Sequence, residues 1–296
     1  ILKPDLTAPG VSILASYATI VNTQQQRDAI ANFSVVPTPN WDFLQGTSMS
    51  SPHVAGLGAL LRHKYPSWSP SAIKSALMTT TYSVFADTQP GAAQGQLPWG
   101  QGAGHVNPNK AADPGLVFDI TNEDYYRFLC GANALPANNA NCVAYGKINA
   151  FDLNLASMTV ADVYGKATLT RTVKNVSDVT STYIASGSLP GFTVTVTPSL
   201  LTLNPGQSAT FKVLLTRTTA AFNTWQFGEV VWNDGVHNVR SVLSAKASAL
   251  TAPTGIDDTR AVASKFFTVG IGYTGNLALV KGGLKAATRH NNTIGT

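Results

Sequence analysis

Hydrophobic positions change their spacing along this chain of 296 residues, and the change divides it into two regions. In residues 1–125, apolar residues recur at helical intervals, which indicates an α/β region. In residues 150–248, apolar and polar residues alternate in short runs, which is typical of β-strands. Residues 126–149 form a connector between the two, and residues 251–296 follow a Pro/Gly/Asp linker.

The first region contains two predicted helices, at about 48–64 and 70–80. The first has its apolar positions at helical spacing: Val54, Leu57, Leu60 and Leu61. A strand is predicted at Val11–Tyr17, a polar loop region at 18–45, further loop at 82–105 and a short helix at Glu123–Leu129. Ala55, Gly56, Gly58 and Ala59 keep the longer helix slim, so we expect it to be buried against other backbone.

The pattern of the second region predicts a β-sandwich. Alternating runs occupy Ala167–Val173, Phe192–Thr197 and Ala209–Leu215, and turn residues lie at 204–206 and 233–235. Residues 251–296 are either a frayed tail or the start of a further β module. It contains two possible strands, Phe266–Gly270 and Leu277–Val280.

Composition excludes several function classes. The net charge is +5, but the basic residues are scattered rather than clustered, so we expect no nucleic-acid partner. No apolar run reaches the length of a membrane span, so we expect no membrane association. Only 12% of residues are charged, a composition that suits many secreted β-rich proteins. The sequons at Asn32, Asn175 and Asn291 fit the N-glycosylation pattern.

Cys130 and Cys142 are the two cysteines. Either they form a disulfide across a short loop, as in an oxidising compartment, or they are two free buried thiols; we predict the disulfide. No Cys/His cluster has metal-ligand spacing, so we expect no metal or cofactor. Calcium dependence stays open, because Asp5, Asp87, Asp113 and Asp119 form no ligand loop.

The candidate chemistry lies in residues 46–56, Gly-Thr-Ser-Met-Ser-Ser-Pro-His-Val-Ala-Gly. Gly46 permits a sharp turn, and Thr47 and Ser48 are predicted N-cap residues of the following helix. Ser48 would then sit where backbone N–H groups and the helix dipole stabilise an oxyanion. A serine that merely caps a core helix is the alternative interpretation of a Thr-Ser pair.

The whole string resembles the nucleophile signature of the subtilisin-like serine proteases. Residues 3–14 and 68–79 are similar to segments that flank this signature in the family, and residues 100–108 and 113–119 resemble the end of the protease domain in the plant-type branch. The segments around Arg171, Tyr183 and Trp232 resemble the fibronectin type III-like domain of that branch. The resemblance implies an α/β fold from the C-terminal part of a parallel-sheet protease domain, followed by an all-β sandwich. It also implies that Ser48 is the nucleophile, with Gly46, Thr47 and Ser48 forming the oxyanion turn and Met49 neighbouring the substrate cleft.

The histidine and aspartate that this family pairs with its serine come from segments before the signature. The five histidines here are His53, His63, His105, His237 and His290, and all of them follow Ser48. His53 should face away, because five residues correspond to about 140° around a helix. We therefore expect the chain to be the C-terminal portion of a larger protease, whose upstream segment supplies Asp and His.

Two functions remain compatible with the sequence. The first is a secreted serine endopeptidase that cleaves polypeptide substrates through an acyl-enzyme on Ser48, with the chain alone inactive. The alternative is a non-catalytic, degenerate chain whose β-sandwich is a protein-interaction module. A lipase-like hydrolase is rejected, because Ser50 stands where Gly-x-Ser-x-Gly requires a second glycine.

Overall fold

The computed structural model describes residues 1–17, 23–34, 40–83, 99–253, 264 and 266–274. Within them the helices are α1 Gln24–Ala31, α2 Thr47–Lys64, α3 Pro70–Thr79, α4 Pro108–Ala111, α5 Asn122–Gly131 and α6 Ala140–Tyr145. The strands are β1 Ile13–Tyr17, β2 Asn40–Leu44, β3 Leu116–Val117, β4 Met158–Val163, β5 Lys166–Asn175, β6 Ser181–Ser188, β7 Phe192–Thr197, β8 Leu200–Leu203, β9 Ser208–Arg217, β10 Trp225–Asn233, β11 Asn238–Ala247, β12 Leu250–Thr251 and β13 Gly270–Ile271.

The α/β part is organised around α2 and α3, close to where helical spacing predicts them. Ser69 caps α3 through its side chain, and Pro70 occupies the first helical position, where a missing N–H does no harm. A small apolar cluster joins the two helices, in which Leu61 of α2 and Leu77 of α3 pack with Ala8 and Val106.

Strands β1 and β2 form an antiparallel pair, with Ile13 opposite Leu44 and Tyr17 opposite Asn40. The strand predicted at Val11–Tyr17 is therefore present from Ile13. The polar loop predicted at 18–45 is wrong in two places, because it contains α1 and β2. β2 leads directly into the turn before α2 and fixes the direction from which the chain enters it.

Two antiparallel-rich sheets form the all-β part, and the predicted β-sandwich is confirmed. One sheet has the strand order β4-β11-β10-β6-β8, with β4 parallel to β11, and the other has the order β3-β5-β9-β7. The core between them holds large side chains that are at most 1% exposed, including Trp232, Tyr183 and Phe211. Alternation of apolar residues along β5 and β9 produces this arrangement, since every second side chain faces the core.

The two parts share an extensive interface. β3, which follows α4, pairs with β5 and so joins the second sheet. Trp99 packs edge-on against Trp225 and Phe227 of β10. Arg240 of β11 donates a hydrogen bond of 2.5 Å to the Ala103 carbonyl. The sandwich therefore supports the α/β part directly.

The connector carries α5 and α6, which the bond between Cys130 and Cys142 holds together at a Cα–Cα distance of 5.6 Å. The helix predicted at Glu123–Leu129 is present as part of α5. Arg171 of β5, 2% exposed, fixes the following segment by donating hydrogen bonds to the carbonyls of Phe151, Leu155 and Ser157.

Two further expectations are corrected. The Asn175 sequon is not an available glycosylation site, because Asn175 is fully buried and its amide donates to the Val179 and Leu203 carbonyls. Asn32 is exposed, and Asn291 lies outside the described residues. The strand predicted at Phe266–Gly270 is wrong except at Gly270, which starts β13. Leu277–Val280 also lies outside the described residues.

Candidate active site

The turn before α2 places Ser48 at the start of an 18-residue helix. Gly46 is the N-cap residue, with φ 137° and ψ 173°, a conformation that L side chains rarely adopt. The prediction that Thr47 and Ser48 cap the helix is wrong, because both already lie within its first turn. This shift leaves the Ser48 side chain exposed, so its hydroxyl is open to a reactant.

The first turn of α2 presents backbone N–H groups at the N-terminal end of the helix. The first backbone N–H groups of a helix have no partner within the helix, and the dipole makes this end positive. Met49 N–H and Ser50 N–H both donate to the Gly46 carbonyl, at 3.0 and 3.4 Å. These bonds tighten the turn around Ser48 and direct its N–H toward the end of the helix, where developing negative charge is stabilised.

Met49 and His53 are linked to each other rather than to the nucleophile. The His53 Nδ1 atom lies 2.7 Å from the Met49 carbonyl, one helical turn earlier, and donates a hydrogen bond to it. This contact fits the expectation that His53 faces away from Ser48. Met49 itself is half-buried next to Ser48.

The other described histidines have surroundings of their own. His63 is exposed in the last turn of α2. His105 lies against Tyr82, whose hydroxyl is 3.1 Å from Nδ1. His237 lies in the turn between β10 and β11, with Nδ1 2.8 Å from Asp234 Oδ2 and Nε2 3.2 Å from Asp113 Oδ1. His290 is outside the described residues.

One side of α2 is open, contrary to the expectation that the helix is buried. A depression of about 380 Å³ lies along this side, lined by apolar groups that include Pro52, Gly56 and Leu60. Leu60 is 66% exposed, and a Cβ atom added to Gly56 or Gly58 would meet none of the described residues within 4 Å. Leu61 is the residue of α2 that is buried. Gly56 and Gly58 therefore leave open space beside α2, and the described residues make no close backbone contact there.

The aspartates considered for calcium have other partners. Asp5 pairs with Lys3 and Lys74, at 2.7 and 2.8 Å. Burial tends to raise the pKa of Asp5, but the two lysines outweigh it and lower that pKa. Asp119 accepts hydrogen bonds from the hydroxyls that begin α3, at Ser69 and Ser71. Asp87 lies outside the described residues.

Metal clusters and membrane-spanning helices are both absent from the described residues. These residues contain no group of three or more His, Cys, Asp or Glu side chains suited to a metal ion. Within the same ranges, no helix combines the length and the apolar character needed to cross a membrane.

Comparison with known proteins identifies both parts. Residues 1–113 match the family described as the subtilase family, and residues 152–245 match the fibronectin type-III domain. Subtilisin-like protease SBT5.3 of Arabidopsis thaliana is 40% identical over 262 residues, which cover 83% of this chain and 33% of the relative. Subtilisin-like protease Glyma18g48580 of Glycine max is 38% identical over 260 residues, covering 83% and 32% respectively.

The exposed Ser48 and its glycine turn lie in the part of the chain that matches the subtilase family, and the β-sandwich lies in the part that matches the fibronectin type-III domain. The chain belongs to the subtilase family in its first part and carries a fibronectin type-III domain in its second. It spans about a third of the length of the curated relatives it matches.

Proposed function

We propose that Ser48 is the nucleophile of a serine endopeptidase that cleaves polypeptides. The Ser48 oxygen attacks the carbonyl carbon of a peptide bond while its proton passes to a base. The C–N bond then breaks, the amine takes up a proton, and water later hydrolyses the acyl-enzyme ester. The observation that carries the proposal is the exposed Ser48 hydroxyl at the N-terminus of α2, beside N–H groups suited to the oxyanion.

The base and its orienting carboxylate are proposed to come from a segment upstream of Ile1. The described histidines occupy other sites, and the relatives are about three times as long as the region they share with this chain. Loss of one triad member removes nearly all turnover. We therefore propose that the 296-residue chain alone is inactive and that the open side of α2 is where the upstream segment packs.

A fluorophosphonate probe, which labels only activated serines, tests the proposal. We expect no stoichiometric labelling of the 296-residue chain. We expect labelling of the longer protein that includes the upstream segment, and loss of that labelling in Ser48→Ala. Ser51→Ala is the matched control, since Ser51 is exposed in the same helix and should label like the parent. Labelling of the Ser48→Ala protein would show that the nucleophile is another residue. An unlabelled but folded parent would favour the non-catalytic alternative, in which the sandwich is an interaction module.

We also propose that the protein is secreted. The bond between Cys130 and Cys142 supports it, because disulfides persist in oxidising compartments. Alkylation without reductant should leave both cysteines of the native protein unmodified. Two alkylated cysteines would argue for a reducing compartment.

A further inference from the structure

A short N-terminal segment connects a rigid part of the fold to the nucleophile turn. Ala103 N–H donates to the Asp5 carbonyl, and Thr7 exchanges backbone hydrogen bonds with Gly104 and Val106, all at 2.9 Å. Three residues after Thr7, the Gly10 carbonyl accepts a hydrogen bond of 2.7 Å from Gly46 N–H. The turn that carries Ser48 is therefore attached to the body of the protein at Gly10.

Gly10 is also in close contact with the turn. A Cβ atom added there would lie 2.2 Å from Ser50 Oγ and 2.9 Å from the Gly46 carbonyl oxygen. Both distances are shorter than any stable van der Waals contact. The φ angle of Gly10 lies outside the left-handed region, so the requirement at this position is for space.

We infer that Gly10 is a positioning residue for Ser48 and acts on it through Gly46. The Gly46 carbonyl accepts from both Met49 N–H and Ser50 N–H, so a displaced Gly46 moves the whole first turn of α2. The inference deepens the proposed function and rests on it. Displacing a nucleophile by roughly 1 Å slows the chemical step by about 10- to 100-fold. Because the misplaced group acts in the chemical step, kcat should fall by a larger factor than KM changes.

The test uses the longer protein that includes the upstream segment, assayed on a peptide substrate. Gly10→Ala is expected to lower kcat at least tenfold, with KM changed by less than about twofold. Ser50→Ala removes the Oγ atom that the new methyl group meets, and alone it should leave kcat near the parent value. The double variant Gly10→Ala/Ser50→Ala should recover most of kcat. It should remain about threefold below Ser50→Ala, because the contact with the Gly46 oxygen persists.

Gly187→Ala is the matched control. Its added Cβ would lie 2.6 Å from Val194 Cγ1, between β6 and β7 and far along the chain from the turn. It should lower the unfolding temperature and leave kcat per folded molecule unchanged. An equal fall of kcat in Gly187→Ala would show that general destabilisation explains the effect.

The outcomes separate this inference from the proposed function. Turnover retained by Ser48→Ala would overturn both. An inactive Ser48→Ala protein together with a fully active Gly10→Ala protein would overturn the positioning role alone. If Gly10→Ala cannot be obtained folded, the double variant decides. A kcat below that of Ser50→Ala at equal KM supports positioning, and an equal kcat shows a purely structural glycine.

Discussion

His237 connects the two parts of the protein through two carboxylates, and this contact predicts how stability depends on pH. Its Nδ1 faces Asp234 in its own turn, and its Nε2 faces Asp113, which follows α4. The side chain is 11% exposed, and Gly115 and Tyr183 pack beside it. Burial tends to lower the pKa of His237, but the two carboxylates outweigh burial and raise it above 6.5.

The direction of the pH effect follows from these shifts. A raised histidine pKa contributes stability that is complete below pH 6.5, the unfolded value, and is lost as the pH rises through the folded value. Burial tends to raise the pKa of Asp234, but hydrogen bonds from His237 and Val236 lower it from 3.8 to about 2. Its contribution is present above pH 3.8 and is lost as the pH falls toward 2. The contact between His237 and Asp234 therefore stabilises the fold most between pH 3.8 and pH 6.5.

The magnitude follows from the Asp234 side chain, which is only 5% exposed. A fall in its pKa from 3.8 to about 2 corresponds to roughly 2 kcal/mol. Asp113 is 68% exposed, so solvent screening limits its contribution to less than about 1 kcal/mol. Part of the pKa shift of Asp234 comes from the backbone N–H groups of residues 236 and 237, which remain in His237→Gln, so we expect this substitution to lower the free energy of unfolding by about 1–2 kcal/mol at pH 5.5. At pH 8.5 the loss should be smaller, because the protonated fraction of His237 falls as the pH rises.

Urea unfolding at both pH values, followed by tryptophan fluorescence, measures this difference. Trp232 is fully buried in the sandwich core and reports its unfolding. Asp113→Asn is the matched variant, because it removes only the exposed partner and should show a smaller loss with the same pH direction. A loss in His237→Gln that is equal or larger at pH 8.5 would refute the reasoning.

Two further predictions concern the connector and the segment that follows it. Arg171→Lys should lower the free energy of unfolding by about 3 kcal/mol or more, because a lysine cannot reach all the carbonyls that the buried guanidinium bonds. Urea unfolding checks this, with the exposed Arg62→Lys as control, and a loss under about 1 kcal/mol would contradict it. Replacing Cys130 and Cys142 by serine should lower stability by about 3 kcal/mol, from the loop entropy for a separation of 12 residues. Amide hydrogen exchange in α5 and α6 should then become faster, with a larger increase than in the sandwich. Unchanged exchange in these two helices would contradict the prediction.

Regular elements are predictable where one pattern decides the structure. α3 has both a serine cap and a periodic apolar face, and β7 alternates strictly, so both lie close to their predicted limits. α1 escapes prediction although Thr23 and Gln26 form a capping box that the sequence displays. This helix has no buried residue and hence no apolar stripe. β2 escapes prediction because its pairing with β1 is non-local.

The serine motif is evident in the sequence, whereas the contacts that support it are not. Gly10 belongs to a Pro-Gly pair, which indicates only a turn, and its close approach to Ser50 becomes visible in three dimensions. Asn175 matches a sequon, but its side chain is a structural donor in the core. His237 follows the turn predicted at 233–235, and its partner Asp113 lies in the other part of the chain. A short motif involves only neighbouring residues, so it does not reveal contact partners that are distant along the chain.

The small residues of α2 show how a correct pattern leads to a wrong local conclusion. Gly56 and Gly58 are expected to lie against backbone, and in the described part of the chain that space is open. A helix gains nothing from two interior glycines, which together are unfavourable by roughly 2 kcal/mol relative to alanine. An exposed Leu60 likewise leaves hydrophobic stabilisation unused. Both features become favourable if another backbone packs along the depression beside Pro52. The same contact would bring the proposed upstream segment to the helix whose first turn carries Ser48.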